Sequence, residues 1–183
     1  ATEKKVYFGN NIDLTPTAKK DGWEFVGWNT NKDATTGLTS VTVNGDVTLY
    51  AIYKKTVTAT CNYYGGTSTT KGIMWNKEKS ISIKLPQISN ATKDGVTYIK
   101  RGWAKEDKAN ADIVVNSGAN ATLSDNATYY ANYQSSININ IYYCNEGNTV
   151  GVEKASSGRY MNYKGNFVYT SVTLPDVVKK SKG

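Results

Sequence analysis

The pattern of hydrophobic and polar positions predicts short strands and one repeated block. Residues 22–53 hold two aromatic-rich stretches in which large side chains alternate with polar ones, separated by a polar loop. Alternation with a period of two is typical of β-strands. The same order returns in residues 95–133, where the Gly-Trp pair recurs after 75 residues and the closing tyrosine after 80. Repetition on this scale indicates small units in tandem.

Eight residues recur at matching places in the two blocks, and we expect them to be a signature of the fold. They are Gly27, Trp28, Tyr50 and Tyr53 in the first block and Gly102, Trp103, Tyr130 and Tyr133 in the second. The glycines are expected to let a neighbouring ring or strand approach closely, and the tryptophans to anchor the core. On this interpretation Trp28→Ala unfolds its unit at a cost of roughly 3 to 5 kcal/mol.

The two blocks differ just before the second Gly-Trp pair. Lys100-Arg101 is a two-residue insertion with no counterpart in the first block. An even shift keeps Trp103 on the same face of its strand, whereas a shift by one residue would turn it to the other face. The insertion therefore predicts a β-bulge at this point.

Each repeat is predicted to open with a β-hairpin followed by a short crossover. The first arms are residues 57–64 and 137–143, and the second arms are residues 80–85 and 167–174. Segments with a proline, a late lysine and a glycine occupy residues 16–22, 86–95 and 175–183. This order suits a helical turn or two, because proline favours a helix start and glycine a helix end. An irregular crossover is the alternative.

The repeat divides the chain into three parts. Residues 1–55 form a first repeat without its opening strand, residues 56–134 a complete second repeat, and residues 135–183 the opening half of a third. The predicted joints, Lys54-Lys55 and residues 134–136, are too short for free rotation, which predicts a semi-rigid rod. We expect the chain to be a segment of a longer array. Exchange of half units between two molecules is the alternative.

Charge leaves two interpretations of the surface. The chain has 22 Lys and Arg against 15 Asp and Glu, a net charge of +7. The basic residues are scattered near the edges of strand candidates, where they limit association between edges; binding of a polyanion is the alternative. No basic helix, zinc spacing or RNA-binding aromatic signature accompanies them, so no nucleic-acid partner is predicted. No apolar run reaches the ~20 residues that span a bilayer, so no transmembrane segment is predicted.

The sequence predicts neither an enzyme nor a cofactor. It contains no histidine, which removes the commonest general base and metal ligand, and we predict no catalytic residue and no metal site. Residues 29–33 lack the glycine and glutamate that would have to follow in a calcium loop, and a polar turn is predicted there. Cys61 and Cys144 are predicted to be free thiols, with Cys61 on the apolar row of its strand.

Any binding is expected to use aromatic and basic side chains. The candidate ligand contacts are Trp75, Lys100, Arg101, Tyr160 and Tyr163. Aromatic rings beside cations can stack on sugars or contact proteins. Most of the aromatic residues are nevertheless expected to belong to the core or to strand faces.

Two runs in the first block resemble a known family. They are GWEFVGW at residues 22–28 and VTLYAIY at residues 47–53, which together resemble the Listeria-Bacteroides repeat, the B repeat of internalin-type surface proteins. The resemblance extends over about residues 12–133. The second copy departs from the family pattern at Lys100-Arg101 and in its longer loop.

The resemblance implies a fold and a location. The fold would be mainly β (α+β), with small β-grasp-like (ubiquitin-like) units in tandem as an elongated rod. The parent would be a secreted or cell-wall-attached bacterial protein, extracellular at the cell surface, with its signal peptide and anchor outside this chain. The implied role is non-enzymatic, a stalk or spacer and an adhesion or protein-interaction module. We expect a monomer that binds a host or cell-surface protein, or alternatively an anionic glycan.

Overall fold

The described residues fold into open β-sheets. A computed structural model describes residues 6–145 and 148–171, together with their side chains except those of residues 137–145 and 148–157. These residues form strands and no helix, so the prediction of mainly β structure is confirmed. The strands are β1 (Asn11–Asp13), β2 (Glu24–Asn29), β3 (Ser40–Thr42), β4 (Tyr50–Tyr63), β5 (Gly66–Trp75), β6 (Ile81–Lys84), β7 (Ala91–Lys93), β8 (Val96–Ala104), β9 (Ile113–Val115), β10 (Asn120–Leu123), β11 (Ala127–Asn145), β12 (Asn148–Asn162) and β13 (Phe167–Tyr169).

The first compact unit contains the first Gly-Trp block. Its described part comprises residues 6–58, 70–83 and 122–127. β2 pairs with β4, placing Trp28 opposite Ala51, and β1 pairs with β3. The most deeply buried apolar side chains of this unit are Ile52, Val57, Met74, Ile83 and Leu123.

The second compact unit contains the second Gly-Trp block. Its described part comprises residues 59–69, 84–121, 128–145 and 148–171. β8 pairs with β7, β9 and β11, while β12 lies between β11 and β13. Its larger fully buried side chains are Leu85, Tyr98, Trp103, Tyr133 and Met161. Large aromatic residues therefore make up more of this core than of the first.

The long hairpins begin as predicted but close differently. β4 turns at Tyr64-Gly65, where Gly65 has φ +90°, and pairs at once with β5. β11 pairs in the same way with β12. The predicted second arms, residues 80–85 and 167–174, are therefore wrong. A two-residue turn lets the next residues pair directly, and the threonine-rich start of β5 suits a strand whose outer positions face water.

The predicted joints lie inside strands. Lys54-Lys55 is in the interior of β4, and residues 134–136 are in the interior of β11. Neither place is a linker between elements. The repeat boundaries of residues 1–55, 56–134 and 135–183 stay a prediction from the sequence.

The predicted helical turns are absent from the two proline segments that the structure describes. Residues 15–19 and 86–90 are irregular, so the alternative of an irregular crossover is correct there. The segment at 175–183 lies outside the described residues. Asp94-Gly95 forms a hairpin turn between β7 and β8, with φ +52° and +76°. Asp-Gly favours this turn because both central residues take positive φ, and this preference outweighs the helix-end signal of lysine and glycine.

Both Gly-Trp strands carry a β-bulge at the residue before glycine. The register of β2 against β4 skips Val26, and that of β8 against β11 skips Arg101. The predicted bulge in the second copy is confirmed. Because the first copy has the same bulge without an insertion, the extra residues do not cause it. They fall instead in the longer β8.

Candidate binding surface

The two signature tryptophans make the same hydrogen bond. The indole Nε1–H of Trp28 donates to the carbonyl oxygen of Pro16 at 2.5 Å, and that of Trp103 donates to Pro86 at 3.1 Å. Trp103 is fully buried, whereas Trp28 is only half-buried. The polar group of each ring is therefore used inside its own unit, where it fixes the proline crossover. Because the carbonyls of Pro16 and Pro86 accept hydrogen bonds from the indoles, they are not paired with backbone N–H groups of a helix.

The signature glycines stand where another chain segment passes. Gly27 has φ +151° and Gly102 has φ +149°, a region that L side chains rarely adopt. A Cβ at Gly27 would lie 2.7 Å from the Cα of Gly37, and one at Gly102 would lie 2.6 Å from Cγ2 of Ile113. Both positions have the close approach that the sequence predicted.

The signature tyrosines occupy different environments in the two copies. Tyr53 is half-buried with its ring centre 5.6 Å from that of Phe25. Tyr133 is buried, and its hydroxyl accepts a hydrogen bond from the backbone N–H of Tyr64 at 3.1 Å. Tyr50 is 40% exposed, while its counterpart Tyr130 is half-buried. Tyr53, Tyr133 and Tyr130 each pack within their own unit, the last beside the ring of Tyr163, whereas Tyr50 is the most exposed of the four.

A repeated lysine makes equivalent contacts in both units. Lys20 donates through Nζ to the carbonyl of Asn76 at 2.9 Å and lies 3.6 Å from the ring centre of Trp23. Lys93 donates to the carbonyl of Gly165 at 2.8 Å and lies 4.7 Å from the ring centre of Phe167. Through this hydrogen bond, each lysine connects its Asp-Gly turn to the residues that follow the second strand of a long hairpin. This role was not predicted, although Lys-Asp-Gly recurs in both blocks.

The candidate ligand contacts do not form one site. Arg101 and Tyr160 do meet, with the guanidinium carbon 4.7 Å from the ring centre. Arg101 also donates to Oδ1 of Asn132 at 3.2 Å, so its guanidinium is already used within the unit. Tyr163 packs beside Tyr130 at 5.3 Å. The two remaining candidates stand apart from these pairs: Trp75 is half-buried in the first unit, and Lys100 is exposed on β8.

A second group of cations and rings gathers where β12 and β13 meet the β7–β8 hairpin. We name it the Arg159 cluster, and its members are Lys93, Tyr98, Arg159, Phe167 and Tyr169. The guanidinium carbon of Arg159 lies 3.8 Å from the ring centre of Phe167, 5.2 Å from that of Tyr169 and 5.5 Å from that of Tyr98. Tyr98 stacks on Phe167 with ring centres 5.4 Å apart. The alternation of Phe167 and Tyr169 was the available sequence signal, but their meeting with Arg159 depends on strand register.

Two polar atoms of the Arg159 cluster are buried without a partner among the described residues. They are the hydroxyl of Tyr98 and Nε of Arg159. Burial raises the pKa of Tyr98, while the positive charge of Arg159 acts in the opposite direction. Buried polar atoms usually have hydrogen-bond partners, and the hydroxyl of Ser68 is the third exception among the described residues.

The described residues show no group of side chains suited to binding a metal ion. No group of three or more His, Cys, Asp or Glu side chains in the described ranges could hold a metal ion. One shallow depression of about 420 Å³ is lined by Lys105, Glu106, Lys108, Asn110 and Asp112. Its ion pair, Lys108 to Glu106 at 2.6 Å, is well exposed on both sides. Residues 29–33 form the predicted polar turn, in which Asn29 Oδ1 accepts from the backbone N–H of Asn31.

Cys61 is a buried thiol, as predicted. It lies on a fully buried row with Val57 and Ala59. Burial raises its pKa to about 11, against a smaller lowering by Lys105. The side chain of Cys144 lies outside the described residues. Among those residues no helix is both long enough and apolar enough to cross a membrane.

Comparison with known proteins supports the resemblance over the first Gly-Trp block. Residues 1–52 match the family described as the Listeria-Bacteroides repeat domain. No curated protein and no solved structure matches the chain. The first Gly-Trp block is thus similar to a Listeria-Bacteroides repeat, which is consistent with a repeat segment of a bacterial surface protein.

Proposed function

We propose that this chain is a non-enzymatic stalk segment of a secreted or cell-wall-attached bacterial surface protein of the internalin type. It holds other domains away from the cell and offers its own surface to a host or cell-surface protein. What supports this is the family match together with the equivalence of the two copies. A spacer requires repeated units that hold their own shape, because each unit must be stable next to its neighbours.

The observation that carries the proposal is the internal use of the signature residues. Both signature tryptophans donate their indole N–H groups to proline carbonyls. The lysines of the two Asp-Gly turns, Lys20 and Lys93, donate to backbone carbonyls. Residues used in this way maintain a fold and leave little for chemistry. The variable parts, the loop after each Gly-Trp pair and the aromatic clusters, are where a partner would be recognised.

Our proposal for the assembly is an elongated monomer of tandem units at the cell surface. We propose a β-grasp-like arrangement for the strands of each unit. The described residues contain no helix that packs on the sheet.

Small-angle scattering with light scattering tests the stalk. We expect the mass of one chain, 20.0 kDa, and a distance distribution with a long tail. Lys71→Met serves as a control, because loss of an exposed cation should leave the scattering curve unchanged. A compact globular curve would contradict the proposal.

A second function, binding of an anionic polysaccharide or wall polymer, is favoured by one observation. The Arg159 cluster places two cations beside exposed aromatic surface, and neither forms an ion pair with a described residue. Retention on heparin or teichoic acid is expected at low ionic strength and should weaken with salt, since exposed charges are screened beyond about 8 Å at physiological ionic strength. Absence of retention at low salt would rule this function out.

A further inference from the structure

We propose that the Arg159 cluster is a subsite for a hexuronate, the acidic sugar unit of a polysaccharide. This rests on the second function above and assigns it a place on the second unit. The carboxylate would lie between Lys93 and Arg159, and the face of the sugar ring would lie on Tyr169. The stalk function does not depend on it.

Two cations converge on one aromatic ring in this cluster. Nζ of Lys93 is 4.7 Å and the guanidinium carbon of Arg159 is 3.8 Å from the ring centre of Phe167. Lys93 already donates one hydrogen bond, to the carbonyl of Gly165, and its ammonium group has two further N–H donors for a carboxylate. Asp94, which follows Lys93 in the chain, is exposed and forms no ion pair among the described residues, although its charge acts on the Tyr98 hydroxyl.

The hydrogen-bonding state of Arg159 also points to an anion. Its Nε is buried and has no partner within the described residues, and the same is true of the buried Tyr98 hydroxyl. Arg101, on the other face of the sheet, already donates to Asn132. A guanidinium fork matches a carboxylate with two parallel hydrogen bonds, so an acidic ligand would satisfy what the protein leaves open.

Tyr169 supplies the surface that identifies a sugar. It is 62% exposed, it pairs with Arg159 across β12 and β13, and its ring centre is 5.2 Å from the guanidinium carbon. An exposed ring has an apolar face and a polar edge, which suits the C–H face of a pyranose and its hydroxyl groups. A hexuronate carries both the ring and the carboxylate that the two neighbouring groups would bind.

The first unit provides a natural comparison. Its strand ends in Gly72-Ile-Met-Trp-Asn76, where the second unit has Gly158-Arg-Tyr-Met-Asn162. The strand registers differ by one residue, because Asn76 lies opposite Tyr53 whereas Met161 lies opposite Tyr133. The first-unit residues at or next to the place of Arg159, Ile73 and Met74, are both uncharged. Lys20 is present in the first unit, but the second cation is missing. The subsite is thus expected in the second unit alone of these two.

The test is calorimetric titration of the whole chain with a galacturonic acid oligomer at low ionic strength. Arg159→Ile, which removes the guanidinium, should weaken binding about tenfold or more, because it removes the paired hydrogen bonds. Arg159→Lys keeps the charge without the fork and should weaken binding several-fold. Tyr169→Ala should also weaken it several-fold. Lys71→Met, which removes an exposed cation of the first unit, is the matched control and should change affinity less than about twofold.

Three results would overturn the subsite. Lys71→Met could weaken binding as much as Arg159→Ile, a neutral galactose oligomer or inorganic phosphate could bind as tightly as the uronate, or no binding could occur. Unchanged melting temperatures for Arg159→Lys and Tyr169→Ala separate lost binding from lost folding. Heparin retention that survives Arg159→Ile, with no effect on uronate affinity, would leave polyanion binding standing and remove this subsite alone.

Discussion

The two Gly-Trp copies have the same β-bulge but different side chains at it, apolar in the first copy and polar in the second. In the first copy the bulged residue is Val26, and Ile52, opposite the glycine, is fully buried. In the second copy these positions are Arg101 and Asn132, and the asparagine is just as buried. Asn132 accepts from Arg101 at 3.2 Å and donates to the carbonyl of Lys108 at 2.7 Å. The backbone geometry is therefore the constant, and the side chains can be apolar or polar as long as the polar set is satisfied.

The copies also differ in how deeply the tryptophan is placed. Trp103 is inaccessible to solvent, whereas Trp28 keeps part of its ring exposed although it makes the same hydrogen bond. The second unit has the larger aromatic core to surround its indole. Both copies therefore have the indole hydrogen bond, but we expect each tryptophan's contribution to the free energy of unfolding to depend on how deeply it is buried in its unit.

The largest effect is expected at Trp103. Trp103→Ala should cost about 3 to 5 kcal/mol, and Trp28→Ala about half of that, because less ring area returns to water. Hydrogen exchange followed residue by residue measures the loss in each unit separately. Equal losses at the two positions would mean that burial does not determine the difference.

The glycines should respond next, and by similar amounts. Gly27→Ala meets the backbone of Gly37 at 2.7 Å, which cannot move easily, and we expect a loss of about 2 to 4 kcal/mol. Gly102→Ala meets a side-chain methyl of Ile113 at 2.6 Å and the carbonyl oxygen of Val115 at 2.8 Å. Its loss should be of the same size, because the methyl can rotate away but the backbone oxygen cannot. Urea unfolding of the two variants compares them, and a loss at Gly102 far smaller than that at Gly27 would contradict this expectation.

Exchange of the bulge chemistry should have an intermediate effect. Asn132→Ile alone leaves Arg101 and the carbonyl of Lys108 without their partner, at a cost of about 1 to 3 kcal/mol. Adding Arg101→Val reproduces the first copy and should recover most of that loss. A double-mutant cycle on unfolding free energies measures the coupling. Purely additive losses would show that the two residues act independently.

The smallest effect on stability is expected from ionisation of the Cys61 thiol, because the thiol stays protonated at neutral pH. Its pKa is raised from 9.0 to about 11, so the folded state holds the thiol proton more tightly than the unfolded state does. The resulting stabilisation is present below pH 9 and is lost as the pH rises towards 11. Reaction with a thiol reagent at pH 8 should be about a hundredfold slower than in denaturant, because less thiolate is present. Similar rates in the two states would show that Cys61 is accessible.

The sequence predicts those features that depend on local pattern. β-strand alternation, the Gly-Trp pair and the buried Cys61 row follow from periodicity of two. The Asp94-Gly95 turn was misread because the proline and lysine around it resemble helix ends. β5 was missed because its outer positions are small and polar and give no hydrophobic signal. The Arg159 cluster could not be predicted, since it depends on Phe167 packing against Lys93 and Tyr98, which lie far earlier in the chain.

The most direct test of the central claim is hydrogen exchange at the four tryptophan indoles. If the Gly-Trp pairs maintain the fold, Trp103 should exchange slowest and Trp28 next, because both indoles donate to proline carbonyls. Trp23 and Trp75 have no indole acceptor among the described residues and should exchange fast. NMR of the whole chain in deuterium oxide resolves all four signals. Uniform exchange, or slow exchange at Trp23 and Trp75, would contradict the account.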